Sequence, residues 1–360
     1  MRCAYIIPCF AVKCKQNSRL PLDFPIKMLY NDSIYQNQRR FAMKHCCFTI
    51  HNPLDSNWYA DPEARYYEGK YWIYVTHSLP FDDQHNHTAF SSADLTHWEK
   101  HENIIDMSGF PWVRRAVWAP TIIEKNGLYY YIFASNDIHA AEDMGGLEIA
   151  VSEHPGGPFR ALLTHPLVGD FYNGAQPIDA HLFKDDDGTV YLYYGGWGHC
   201  NICRMSDDMT AVVPHDDGTL YREITPPDYV EGPCMCKRNG VYHFMWSSGG
   251  WGDGSYRVVT AKASSPYGPF DDCHVILSTG DSTIANGPGH NGFLYVEDQD
   301  LYLNVYHRHR NADENHPEYK DGNARFLCID AMQFDENGDI KPITMTNAWK
   351  YENGVITVMD

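Results

Sequence analysis

Three carboxylates stand where an apolar stretch meets glycine or proline: Asp61 in YADPE, Asp179 in PIDAH and Glu231 in VEGPC. Trp118 in VWAPT and His290 in GPGHN occupy matching places. Taken singly, an Asp-Pro is an ordinary turn or cap. Taken together, three acids at equivalent points of apolar strands are a poor way to build a core, because buried charge without a partner is costly. Their common use is acid–base chemistry. Cleavage of a glycosidic bond needs one protonated carboxyl and one ionised carboxylate on opposite sides of the bond. In an inverting enzyme the two lie about 6.5–9.5 Å apart, leaving room for water. A third acid can hold the donor and raise its pKa by like-charge repulsion.

Residues so far apart in the chain meet only if a repeat brings them together. A short aromatic hairpin strand recurs five times, as GKYWIYVT, NGLYYYIFAS, DGTVYLYYGG, NGVYHFMWSS and DQDLYLNVYH. Turn residues followed by alternating aromatic and β-branched residues read as strands. The anchoring tyrosines, Tyr71, Tyr129, Tyr191, Tyr242 and Tyr302, are 51 to 62 residues apart. Units of about 50 residues, each with room for about four strands, predict an all-β chain folded as a five-bladed β-propeller. The first strand of each blade lines the central channel. Counting back about nine to twelve residues from each tyrosine reaches Asp61, Trp118, Asp179, Glu231 and His290, which places them at one mouth.

The blades are expected over about 51–102, 112–159, 177–213, 229–270 and 287–334. Residues 43–360 then form a single catalytic propeller, with the NAWKYENGVITV tail adding a strand that closes the ring on blade one. Residues 1–42 lack the blade pattern and read as a weakly ordered leader or a start-site artefact, with Met43 as the alternative start.

A formal net charge of -19 excludes a phosphate-binding surface, and so nucleic acid as partner. No stretch approaches the roughly 18 apolar residues of a membrane span. Eleven cysteines include a CxxC at Cys200 and Cys203 and a CxC at Cys234 and Cys236, but no second CxxC at finger spacing, so free thiols are preferred to zinc. Free thiols place the chain in a reducing compartment, the cytoplasm. Arg2 with CAYIIPCFAV mimics a signal peptide, which keeps export as the alternative, although Pro8 and the missing cleavage site oppose it.

The run NPL with ADPEA, WAPTI, PIDAHLFKDDDGTVYLYYGG, VEGPCMCKRNGVYHFMWS and GPGHNGF resembles glycoside hydrolase family 43 over about 52–343. The resemblance implies a five-bladed propeller enzyme that removes arabinose or xylose from plant polysaccharides without any cofactor for the chemistry. It implies Asp61 as general base, Glu231 as general acid and Asp179 as the acid that orients Glu231 and tunes its pKa. It gives His290 a calcium or other hydrated cation in the channel, against the reading of a hydrogen-bonded histidine without metal. It brings Arg325 to the substrate pocket, against a surface ion pair. Flat aromatic faces suit sugar rings. Trp118, Trp197 and Trp251 are therefore read as substrate-binding, and Trp98 and Trp246 as core. The segments 106–115 and 307–323 are read as walls of the mouth. Family β-xylosidases commonly carry a C-terminal β-sandwich for which this chain has no space after blade five. That favours exo-α-L-arabinofuranosidase. Endo-arabinanase and exo-galactosidase of the same fold stand as alternatives, and a non-catalytic sugar-binding propeller stands as the reading from another class.

Overall fold

The computed structural model describes residues 47–359, apart from Ala141 and Ala312. The leader expected over 1–42 lies outside the described residues. Five antiparallel sheets follow one another along the chain. Blade one comprises Tyr59–Tyr67, Lys70–His77, His87–Ser92 and Glu99–Glu102, and blade two Trp118–Lys125, Leu128–Ser135, Gly146–Ser152 and Arg160–Ala161. In blade three His181–Lys184, Val190–Tyr194, Asn201–Met205 and Val212–Val213 pair in order, and Arg222–Glu223 adds to the third strand. Blade four is Glu231–Arg238, Val241–Ser248, Arg257–Ala263 and Cys273–Leu277; blade five has three strands, Ala285–Val296, Leu301–Arg310 and Arg325–Met332. The first strands of successive blades touch, and that of blade five returns to touch that of blade one. This closes a ring of five.

The repeat tyrosines each stand second in the second strand of their blade. In three blades a two-residue turn precedes them, Glu68-Gly69, Asn126-Gly127 and Asn239-Gly240, with both residues at positive φ. Such turns match the right-handed twist of a hairpin. The second strand of blade two shows why these stretches are aromatic throughout. Tyr129, Tyr131 and Phe133 pack toward blade one, while Tyr130, Ile132 and Ala134 pack toward blade three. Successive side chains point to opposite faces, and here both faces are covered. The core is thus a set of layers between blades.

The same geometry disposes of a zinc site at Cys200 and Cys203. Three positions apart on a strand edge, they enter different layers, Cys203 between blades two and three and Cys200 between three and four. Both are buried free thiols, and burial raises both thiol pKa values.

The tail departs from expectation. Ala348–Glu352 and Val355–Met359 form a hairpin that pairs with Cys47–His51 in a separate three-stranded sheet, and adds no strand to blade one. Asn52 fixes that outcome. Its amide donates to the carbonyls of Ile329 and Thr346, and its Oδ1 accepts from the Ile329 N–H. This sheet shares a core layer with blades one and five through Phe48, Ile50, Trp349 and Tyr351.

Candidate active site

Each blade mounts one residue on the channel by the same local device. The first strand opens with a bulge whose leading residue has positive φ: Asp61 at 52°, Ala119 at 36°, Gly232 at 64° and His290 at 43°. Asp179, at 57°, leads into the first strand of blade three. Asp and His tolerate this conformation better than most residues, and glycine does so freely. Trp118 and Glu231 therefore sit one position before the bulge residue of their blades, an offset that counting from the tyrosines does not see. The bulge N–H is held by the neighbouring blade. Thr76 Oγ1 accepts from Ala119 at 2.8 Å, Ser247 Oγ from His290 at 2.8 Å, and His307 Nδ1 from Asp61 at 3.2 Å. At the junction of blades three and four, Asp179 Oδ2 accepts from Gly232 N–H at 3.0 Å.

Asp61, Asp179, His290 and Arg325 converge, each no more than 9 % exposed. Arg325 Nη1 donates to Asp61 Oδ1 at 3.2 Å, and Nε to Ser78 Oγ at 2.9 Å. It is a buried ion pair and not a surface one. His290 Nδ1 stands 3.4 Å from both Asp61 Oδ1 and Asp179 Oδ2. Tyr256 donates its hydroxyl to Glu231 Oε1 at 2.8 Å.

The electrostatics follow from three acids with one arginine. Burial raises Asp179 well above the usual carboxylate range, and the charges of Glu231 and Asp61 add to that. Burial also raises Glu231; the Tyr256 hydroxyl and Arg325 oppose the shift, and Asp61 reinforces it. Burial holds His290 below its ordinary value against the pull of Asp61, with Arg325 assisting. Burial, Arg325 and His290 push His307 further down, in keeping with its ring nitrogen accepting from Asp61 N–H.

The aromatic residues divide. Arg325 lies 5.1 Å from the Trp251 ring centre, and His309 Nε2 meets the Trp251 carbonyl at 2.9 Å. Phe81, on the loop after the second strand of blade one, touches Trp118 edge-on at 4.9 Å and Trp251 at 6.0 Å. Gln84 accepts from the Trp118 indole N–H. Trp118 of blade two, Phe81 of the blade-one loop and Trp251 of the blade-four loop thus form an arc that ends on Arg325, the partner of Asp61. Trp197 stands apart, half exposed, against Phe171 and His139. Trp246 is core, as expected, and Trp98 packs half-buried on the layer between blades one and five. The segment 106–115 ties down to blade two, where Trp112 donates to Glu148 at 2.7 Å, and to the Phe81 loop, where Arg115 donates to Asp82 at 2.9 Å.

Reading the sequence missed Tyr256, His307, Phe81 and Gln84. The first three are aromatic or histidine residues in a chain rich in both, with nothing in their spacing to separate them from core. For a metal, calcium takes six to eight oxygens at about 2.3–2.6 Å. His290 offers one ring nitrogen between two carboxylates already engaged by Arg325 and Gly232. Among the described residues no group of three or more His, Cys, Asp or Glu side chains is placed to hold a metal ion. These residues do not make a direct calcium cage.

A family model described as "Glycosyl hydrolases family 43" matches residues 50–340. The chain is 39 % identical over 305 residues to a beta-D-galactofuranosidase, xynD, of Aspergillus niger, covering 82 % of this chain and 85 % of that one. It is 28 % identical over 274 residues to a xylosidase/arabinosidase 43A of Humicola insolens, covering 61 % and 80 %. Among solved structures it superposes on an alpha-L-arabinofuranosidase from Clostridium thermocellum with a TM-score of 0.63 at 27 % identity, covering 80 % and 94 %.

Proposed function

The chain belongs to glycosyl hydrolase family 43, and from that premise we propose that it removes terminal α-L-arabinofuranosyl residues from plant cell-wall oligosaccharides or polysaccharides, with inversion. It is a glycosidase of the arabinose and xylose type. The observation that carries the glycosidase reading is the cluster of Asp61, Asp179 and Glu231 at the mouth, with a single arginine set on Asp61. Arg325 pairs with Asp61, while burial and neighbouring charge raise the other two above the usual carboxylate range.

Asp61 takes a proton from water as that water attacks the anomeric carbon. The bond from that carbon to the leaving oxygen breaks, and Glu231 gives its proton to that oxygen. Asp61 ends protonated and Glu231 ionised, and solvent resets both. Tyr256 holds Glu231 Oε1, which leaves Oε2 to carry the proton. Asp179 anchors the residue after Glu231 through the Gly232 N–H, while burial and the charge of Asp61 raise the donor's pKa. Two carboxylates suffice for this chemistry, and no step passes through a metal. The aromatic arc from Trp118 through Phe81 to Trp251 supports exo action, because a polymer cannot run across a mouth walled on one side.

A second reading has a specific observation behind it. The Aspergillus relative is named for β-D-galactofuranose, whose ring substituents share the configuration of α-L-arabinofuranose, with a longer chain at C4. One pocket can therefore grade both sugars. The test is a panel of aryl α-L-arabinofuranoside, β-D-galactofuranoside and β-D-xyloside, with proton NMR of the first anomer released. We expect the arabinofuranoside to be fastest and the product inverted. A retained anomer overturns the mechanism, and inactivity on the whole panel overturns the enzyme.

A further inference from the structure

Trp197 is an anomaly of burial. Its side chain leaves 48 % of its surface in solvent, although it stands in a chain whose other described tryptophans are buried or partly buried. It is also firmly held. Its own φ is 57°, between Gly195 and Gly198 at positive φ. Phe171 lies parallel to it, with ring centres 5.3 Å apart and planes 10° apart, and His139 leans on it at 5.4 Å. Asp137 steadies His139 at 3.1 Å, and Gln176 donates to the same carboxylate at 3.2 Å. An ordered, exposed indole with polar groups at its edge is suited to the apolar face and rim hydroxyls of a sugar ring.

Its place in the fold says which sugar. The loop that carries Trp197 follows the second strand of blade three, on the same face as the acids. Two hydrogen bonds fasten it to the segment that delivers Glu231. Tyr229 donates its hydroxyl to the Gly195 carbonyl at 2.7 Å, and Gly198 N–H donates to the Val230 carbonyl at 3.1 Å. Val230 immediately precedes Glu231. Phe81 and Trp251 gather instead about Arg325, the partner of Asp61. A proton donor must face the leaving oxygen, so the leaving group departs on the Glu231 side.

We infer that Trp197, backed by Phe171 and His139, is the platform for the first sugar ring of the leaving group. The inference rests on the reading of Glu231 as the proton donor. The released sugar is recognised at the arc beside Asp61, and the remaining oligosaccharide lies across the Trp197 face. Preference for oligosaccharide over a simple glycoside therefore originates at blade three.

The experiment compares Trp197→Ala, Phe171→Ala and Trp197→Tyr with wild type on two substrates of the sugar that the panel shows to be released. One is the methyl glycoside, whose leaving group is too small to reach the platform; the other is the matching trisaccharide. For Trp197→Ala, kcat/KM on the trisaccharide should fall about tenfold, mainly through KM, in line with the worth of one aromatic stacking contact. On the methyl glycoside it should stay within about twofold. Phe171→Ala should show a smaller loss of the same kind, and Trp197→Tyr should recover most of the trisaccharide rate. An equal fall on both substrates would make Trp197 a structural support and overturn the platform, as would an unchanged trisaccharide KM. Failure of the acid assignment shows separately, as a Glu231→Gln enzyme that keeps its activity on the methyl glycoside.

Discussion

Two clusters of ionisable side chains lie on the same inner strands, two residues apart, and they are built to opposite rules. At the mouth, Asp61, Asp179 and Glu231 share one arginine. Two residues further along the strands that carry Asp61 and Asp179, Glu63 meets His181 at 3.2 Å and Arg65 at 2.6 Å, and accepts from Thr121 at 3.1 Å. Arg65 also donates to the Leu182 carbonyl at 2.9 Å, and His181 reaches the Met235 carbonyl at 3.2 Å, so with Thr121 the cluster ties blades one to four. Burial pushes Glu63 up, but Arg65, His181 and Thr121 together bring it below the usual range. At the mouth, Asp179 and Glu231 lie above that range. One cluster spends its charges on each other and locks the ring. The other leaves its carboxylates under-compensated, which holds a proton available for chemistry and works against stability.

The largest effects should separate the two. Glu231→Gln should lose about a thousandfold or more in kcat, since it removes the proton donor. Its unfolding midpoint should hold or rise, because a crowded buried acid is gone. Glu63→Gln should cost about 3 kcal/mol in denaturant unfolding, since it strands a buried guanidinium, while activity per folded molecule persists. If Glu231→Gln proves the less stable of the two, the contrast fails. The pH dependence has opposite signs. Stability contributed by Glu63, whose folded pKa is lowered, is present above the unfolded value and lost as pH falls through the folded one. For Asp179 and Glu231, whose folded values are raised, stability is gained as pH falls through those values toward the unfolded range. Urea unfolding of both variants across pH 4 to 9, against wild type, reads both slopes.

Next in size is Tyr256→Phe. The Tyr256 hydroxyl lowers Glu231, so its loss should move the alkaline limb of the kcat profile to higher pH, with a moderate drop in rate. A limb that stays in place would detach Glu231 from that limb. Smallest is Ser247→Ala, which removes the acceptor of the His290 N–H at the bulge. It should cost about 1–3 kcal/mol of stability, the penalty for an unmet buried donor, with only a few-fold change in rate.

The sequence made the mouth legible for a definite reason. The hairpin turns and their tyrosines recur with the blade, so distance along the chain stands in for angle around the ring. Asp61 and His290 came out at the bulge residue, Asp179 at the left-handed residue that leads into its strand, and Trp118 and Glu231 one residue short. Counting cannot register a bulge. Glu63 and His181 escaped notice because, two positions on, they read as ordinary members of a strand. Tyr256 and Phe81 lie on loops whose path depends on tertiary contacts, such as the hydrogen bond from Ala116 N–H to the Phe81 carbonyl at 3.0 Å. The tail was placed in the wrong sheet because NAWKYENGVITV carries a hairpin pattern but no mark of its partner. That partner, Cys47–His51, is a strand with no repeat signal of its own.

The left-handed bulges have a consequence for how such a molecule can change. Because backbone conformation aims the residue, and the neighbouring blade secures its N–H, the side chain can be exchanged among residues that tolerate a left-handed backbone. Ala119 and Gly232 show the same mount carrying almost nothing. The ring behaves as five sockets of one pattern, three of them wired for the present reaction. At blade two that socket holds only the buried methyl of Ala119.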